Sequence, residues 1–134
     1  MLSKINPSWQ VASTVAERRG DVVAVEPPCE FDSTIPAPRA AIEEHRPEVV
    51  VCVGQAGSRV EVTPERVAIN TLDAPFPDNA GAQPVDEPVV AGGPAAYFTS
   101  LPVKAAVAAI RAAGVPVRCR ALPGPLDATT PSTA

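Results

Sequence analysis

The spacing of apolar and polar residues changes several times along the chain. Asn6-Pro7-Ser8 reads as a helix start: the Asn6 side chain can accept an orphan backbone N–H, and Pro7 is pre-set for the first helical position. With Gly20 suited to the end, a helix is predicted over residues 7–19. Asp21-Val22-Val23-Ala24-Val25 is short and rich in β-formers, and Pro27, Pro28, Pro36 and Pro38 confine the next stretch to a loop. A second helix is expected over residues 38–46, which carry Ala40, Ala41, Ile42, Glu43 and Glu44.

Val49-Val50-Val51-Cys52-Val53 is apolar at every position instead of alternating, the pattern of a strand covered on both faces in a parallel sheet. It runs into Gly54-Gln55-Ala56-Gly57, and loops at the carboxyl ends of such strands are where open α/β sheets place their sites. Residues 60–62 and 66–70 are candidate short strands. Residues 71–93, with Pro75, Pro77, Pro84 and Pro88 and several acids, read as a long loop. A helical stretch is predicted to open at Pro94 and include Tyr97 and Phe98. Another, over residues 101–113, aligns Leu101, Ala105, Ala108 and Ala112 on one face and ends at Gly114. Val115-Pro116-Val117 could begin a further strand, whereas the residues from Arg118 onward have neither period and read as a disordered tail. Alternating strands and helices predict an α/β fold with an open, mostly parallel sheet flanked by helices.

Composition narrows the function classes. A chain of 134 residues with 46% hydrophobic content has room for one modest domain. A net charge of −4, with few clustered cations, argues against a nucleic-acid partner. No apolar run approaches the roughly 20 residues needed to cross a bilayer, so no membrane partner is expected. Cys29, Cys52 and Cys119 are widely spaced and match no metal or disulfide pattern; no cofactor or metal is expected, and a cytoplasmic location fits. Cys52 reads as a small apolar residue of its strand. Seventeen prolines predict short elements joined by ordered loops.

Gly54-Gln55-Ala56-Gly57, followed by Val62-Thr63-Pro64-Glu65-Arg66-Val67-Ala68-Ile69-Asn70, resembles the glutamate signature of pyroglutamyl peptidase type I, also called pyrrolidone-carboxylate peptidase. Asn6-Pro7-Ser8-Trp9, Pro77-Asp78-Asn79-Ala80-Gly81, Gly92-Gly93-Pro94-Ala95-Ala96-Tyr97 and Leu101-Pro102-Val103-Lys104 are arranged in the family's order. The resemblance spans residues 6–117 and departs from the pattern at Ser58 and Pro75. It implies a cysteine-type peptidase that releases N-terminal pyroglutamate from peptides through a Cys–His–Glu triad. By resemblance Glu65 is the triad glutamate, and main-chain groups around Gln55 help to hold the lactam ring. Gly54 and Gly57 are read either as sharp-turn residues or as ligand-facing ones.

The family's cysteine and histidine motifs are not found in this sequence, and neither is its phenylalanine-bearing loop before the NPSW block. His45 reads as a surface residue near a helix end, and Cys119 lies between two arginines in a context unlike the family's. Residues 128–134 are compatible with codons GCA ACC ACA CCT TCT ACG GC-, and with a T in front the neighbouring frame encodes Cys-Asn-His-Thr-Phe-Tyr-Gly, which resembles the family's cysteine segment. The expected organisation is therefore a partial α/β domain over 1–117 and a disordered or frame-shifted tail over 118–134. The chain is expected to be inactive; the alternative is a non-catalytic module that binds pyroglutamate or peptides. Pyroglutamyl peptides are the expected partners, and self-association is left open.

Overall fold

The computed structural model describes residues 5–120, and the chain divides into two compact units. The first takes Met1–Gly57 with Ala74–Gln83; the second takes Ser58–Asp73 with Pro84–Ala134. The class is α/β, as expected.

In the first unit, helix α1 covers Pro7–Arg18, and Asn6 caps it by accepting the Trp9 N–H at 3.2 Å. Helix α2 covers Pro36–His45 and stops where Arg46 adopts φ 44°, a left-handed conformation that ends helical hydrogen bonding. A single 3₁₀ turn, Phe31–Ser33, precedes α2. Residues 49–53, predicted as a doubly covered strand, are instead exposed and form no sheet ladder among the described residues; the same holds for 22–25 apart from half-buried Val22 and Ala24. Branching at Cβ favours extended backbone at these valines, but among the described residues neither run pairs with a strand.

Asp78 organises the loops of this unit. Its carboxylate accepts the backbone N–H of Phe31 at 2.6 Å and those of Ala80 and Ala82, each at 2.9 Å. One side chain thereby joins the chain near Phe31 to the turn at 78–82, where Gly81 sits at φ 88°.

The second unit is built on residues 62–70, an extended segment that changes partner at its midpoint. Its first half runs parallel to residues 116–120, with bridges Val62↔Val117 and Glu65↔Arg120. Its second half contains strand β1, Val67–Ile69, which pairs antiparallel with strand β2, Ala96–Phe98, in the register Ala68↔Tyr97. Tyr97 and Phe98 are thus in a strand and not in the helix expected from Pro94. Both aromatics favour extended backbone, and the hydrogen bonds of β1 outweigh a local helix signal set by one proline. The side chain of Asn70 clips the loop beyond β1: Nδ2 donates to the Val90 carbonyl at 2.9 Å, and Oδ1 accepts the Val90 N–H at 2.8 Å. Gly93 lies so close that an added Cβ would fall 3.1 Å from the Val90 carbonyl and 2.7 Å from the Tyr97 hydroxyl.

Helix α3 covers Val103–Ala112, and Gly114 comes just after it at φ 77°. Its covered row is Val103, Val107 and half-buried Ile110, not the expected Ala105, Ala108 and Ala112. The two rows lie on different helix faces, and burying branched side chains removes more apolar area than burying alanines. Among the described residues the buried hydrophobic side chains are Ala74, Val103 and Val107, and no helix is long and apolar enough to cross a membrane. Arg118, Cys119 and Arg120, expected in the tail, are ordered beside residues 62–66; the rest of that expectation, 121–134, lies outside the described residues.

Both clips are open to test. The Phe31 N–H contributes most to holding the Asp78 carboxyl below the ordinary carboxylate range; partial burial opposes it, and the Ala82, Ala80 and Gly81 N–H groups add to it. The resulting stabilisation is fully present above the unfolded-chain pKa of about 3.9 and is lost as pH falls through the lower folded value. Asp78→Asn is expected to lower the thermal midpoint at neutral pH, to approach the parent chain in acid, and to speed hydrogen exchange at Phe31, Ala80 and Ala82. Asn70→Asp places a carboxylate oxygen against the Val90 carbonyl, and a loss of about 1 kcal/mol in urea unfolding is expected near neutral pH.

Candidate active site

Glu65 stands at the point where residues 62–70 change partner. Before it, the Val62 N–H donates to the Pro116 carbonyl at 2.9 Å, and the Arg118 N–H returns to the Val62 carbonyl at 3.0 Å. Around it, the Arg120 N–H donates to the Pro64 carbonyl and the Arg66 N–H to the Arg120 carbonyl, both at 2.9 Å. After it, the Arg66 carbonyl accepts the Thr99 N–H at 3.0 Å. Pro64 has no N–H to offer, so the only main-chain group it brings to this pairing is its carbonyl. The main chain carrying the glutamate is therefore fixed from both edges.

The side chain is fixed by Arg59. Its Nη1 donates to Glu65 Oε1 at 3.2 Å and to Thr63 Oγ1 at 2.7 Å, bridging the two side chains. Glu65 is 49% exposed and Arg59 27%, so solvent screens the pair and its worth is about 0 to 1 kcal/mol. Its main effect is orientation. An ionised carboxylate is an acceptor only and can take the N–H of an imidazole while keeping its arginine.

The other candidates are placed less fully. Gln55 is exposed in its loop and belongs to the first unit, whereas Glu65 belongs to the second. A Cβ at Gly54 or at Gly57 would meet nothing within 4 Å, so neither glycine is required by packing among the described residues. His45 is the last residue of α2, with Nε2 3.9 Å from a carboxylate oxygen of Glu44. Cys29 and Cys52 are exposed and Cys119 is half-buried, all three as free thiols. Cys52 is therefore not the buried strand residue expected, because its run is uncovered.

Two features were not anticipated from the residues. Arg59 as the partner of Glu65 lies six positions upstream, beyond what strand or helix spacing brings together, and no sequence period marks it. The pairing of 116–120 did leave a trace, in the β-branched Val115 and Val117 ahead of Cys119. A cavity of about 370 Å³ is lined by Arg66, Thr99, Leu101 and Lys104, among others, at the start of α3; Glu65 does not line it. Among the described residues no three His, Cys, Asp or Glu side chains are grouped as metal ligands.

Comparison with known proteins identifies the family. Residues 2–124 match the family model described as pyroglutamyl peptidase. The pyrrolidone-carboxylate peptidase of Streptomyces coelicolor is 58% identical over 116 residues, covering 84% of this chain and 54% of that protein. The pyrrolidone-carboxylate peptidase of Gloeobacter violaceus is 54% identical over 115 residues, covering 84% and 56% respectively. The chain thus spans about half the length of the curated relatives it matches. The crystal structure of Bacillus amyloliquefaciens pyroglutamyl peptidase I superposes with a TM-score of 0.84 at 41% identity, over 91% of this chain and 61% of that one. A mutant pyrrolidone carboxyl peptidase of Pyrococcus furiosus gives 0.81 at 33% identity, over 90% and 60%. With the ordered motifs, the α/β class and these matches in agreement, this chain belongs to the pyroglutamyl peptidase family.

Proposed function

We propose that the chemistry for which this chain is built is cysteine-type hydrolysis of an N-terminal pyroglutamyl bond, with Glu65 as the carboxylate that orients the catalytic imidazole. The observation that carries the reading is the double anchoring of Glu65, by the pairing at Arg120 and Arg66 and by the Arg59 guanidinium. A triad carboxylate needs fixed direction more than it needs stabilising energy, and this arrangement supplies direction. In the proposed reaction a thiolate attacks the pyroglutamyl carbonyl, and the imidazolium formed gives its proton to the departing amine. Water then hydrolyses the acyl-enzyme. This chain contributes the orienting carboxylate and, around Gln55, main-chain groups that pair with the lactam N–H and C=O.

The thiolate and imidazole of that reaction have no counterpart in the motifs of this chain, so the chain by itself is proposed to be inactive. We read residues beyond about Val117 as a shifted frame of the family's cysteine segment, which resequencing of the gene tests; codons incompatible with the shift remove that part of the reading. The free thiols support a reducing compartment, and we place the protein in the cytoplasm. A second reading, a binding module without turnover, is favoured by the open surroundings of Gly54 and Gly57, which leave the Gln55 loop accessible.

A pyroglutamyl chromogenic amide separates these readings. The expected result is no hydrolysis above background. Hydrolysis that falls by several orders of magnitude in Glu65→Gln would show that the chain holds its own nucleophile and overturn the inactive reading. Calorimetry with pyroglutamate tests the module reading: heat of binding without turnover supports it. That binding is expected to weaken about tenfold in Gln55→Pro, which deletes one main-chain N–H.

A further inference from the structure

Thr63 and Glu65 lie two positions apart on one extended segment, so their side chains leave it on the same face. The main chain is fixed on either side of Thr63: the N–H and carbonyl of Val62 pair with Pro116 and Arg118, and the Pro64 carbonyl accepts the Arg120 N–H. Thr63 also precedes a proline, which favours extended backbone at its own position, and its branching at Cβ limits rotation about χ1. Few directions are open to its hydroxyl. Thr63 is half-buried, whereas Glu65 is exposed.

The two hydrogen bonds donated by Arg59 Nη1 are unequal. The one to Thr63 Oγ1 is 2.7 Å long and partly buried; the one to Glu65 Oε1 is 3.2 Å long and exposed. A charge-assisted contact of that greater length in solvent is at the weak end of its kind, and water competes for it. The hydroxyl contact is short and better shielded, so it sets where the guanidinium sits. Glu65 then meets a cation already held in place, and ordering the pair costs the rotamer freedom of one long side chain instead of two. The carboxylate is engaged through Oε1 alone; among the described residues Oε2 has no hydrogen bond. We infer that Thr63 is a positioning residue for the reaction proposed above: its hydroxyl holds Arg59, Arg59 holds Glu65 Oε1, and Oε2 is the oxygen left to accept the imidazole N–H. The purpose of this relay rests on the triad reading of Glu65, and its geometry rests on the two hydrogen bonds. Thr63 acts through Arg59 and Glu65 and not on the substrate.

Side-chain NMR relaxation of the full chain tests the relay by measuring motion of the Glu65 methylenes, with the exposed helix residue Glu43 as the mobile standard. In the parent chain Glu65 is expected to be clearly more restricted than Glu43. Thr63→Val keeps the branched shape and removes the acceptor, and it is expected to make Glu65 as mobile as Glu43. Thr63→Ser restores the hydroxyl and is expected to recover the restriction. Amide exchange at Val62 and Arg66 is expected to stay within about twofold of the parent in both variants, because the backbone pairing does not use the hydroxyl. Adding Arg59→Ala to Thr63→Val is expected to bring no further mobility, as for two members of one relay. A Glu65 that stays restricted in Thr63→Val, that is already mobile in the parent, or that loosens only together with faster exchange at Val62 and Arg66 overturns the inference. Imidazole added to the parent chain separates this from the triad reading, through the shift of the Glu65 carboxyl carbon. A restricted Glu65 that does not respond to imidazole supports the relay and counts against the triad role; a mobile Glu65 that does respond overturns the relay and leaves the triad role standing.

Discussion

The second unit depends on the two-sided pairing of residues 62–70. The parallel contact with 116–120 ends, and the antiparallel contact with β2 begins, at Arg66: its N–H goes to Arg120 and its carbonyl takes the Thr99 N–H. Backbone groups that stay unpaired away from water are costly, so an extended segment satisfied at both edges is the natural place for a side chain that must not wander. Glu65 occupies the position just before that junction. The ion pair with Arg59 then fixes the remaining freedom of its side chain, in a setting where the pair contributes little to stability and much to direction. The same segment ends at Asn70, whose two hydrogen bonds to Val90 carry the order outward into the loop before β2.

Local signals in the sequence are sufficient for the helices and insufficient for the sheet. Asn6 with Pro7, and Gly114 after Ala113, mark helix ends through contacts made within a turn or two, and both mark them in the structure. Strand pairing depends on partners distant in the chain. Ala96, Tyr97 and Phe98 therefore read as helical beside Pro94 until β1 is placed against them. The covered face of α3 departs from the expected one for a related reason. The helix begins at Val103, two residues later than expected, and which row is covered depends on a surface that spacing alone does not describe. Arg118, Cys119 and Arg120 lack any period of their own, and their backbone pairs with residues 62–66, distant in the chain.

The site is legible to a different depth. Glu65 and Gln55 are proposed as site residues because motif order across separate blocks ties them to a family, which no periodicity could do. Arg59 is not, since an ion pair across six residues of irregular backbone leaves no spacing to read. The glycines flanking Gln55 are instructive in the opposite sense. Glycine is usually demanded by a positive φ or by a neighbour too close for a Cβ, and neither condition applies at Gly54 or Gly57 here.

The continuous valine segment at 49–53 joins these observations. A sheet strand is stabilised by its neighbours more than by its own residues, so high β-propensity can set an extended conformation without setting a strand. Residues 49–53 show the consequence: five residues of high β-propensity or apolar character form no ladder among the described residues. The helices and loops of the first unit do not supply the cover, although α1 and α2 have well-defined ends and Asp78 ties its loops together. Local order in this unit is therefore independent of whether its apolar strands are buried. Catalysis in a triad is not independent in this way, because a carboxylate, an imidazole and a thiolate must be held in one fixed geometry. The backbone pairing of the second unit keeps Glu65 in place and by itself supplies only the carboxylate of such a geometry.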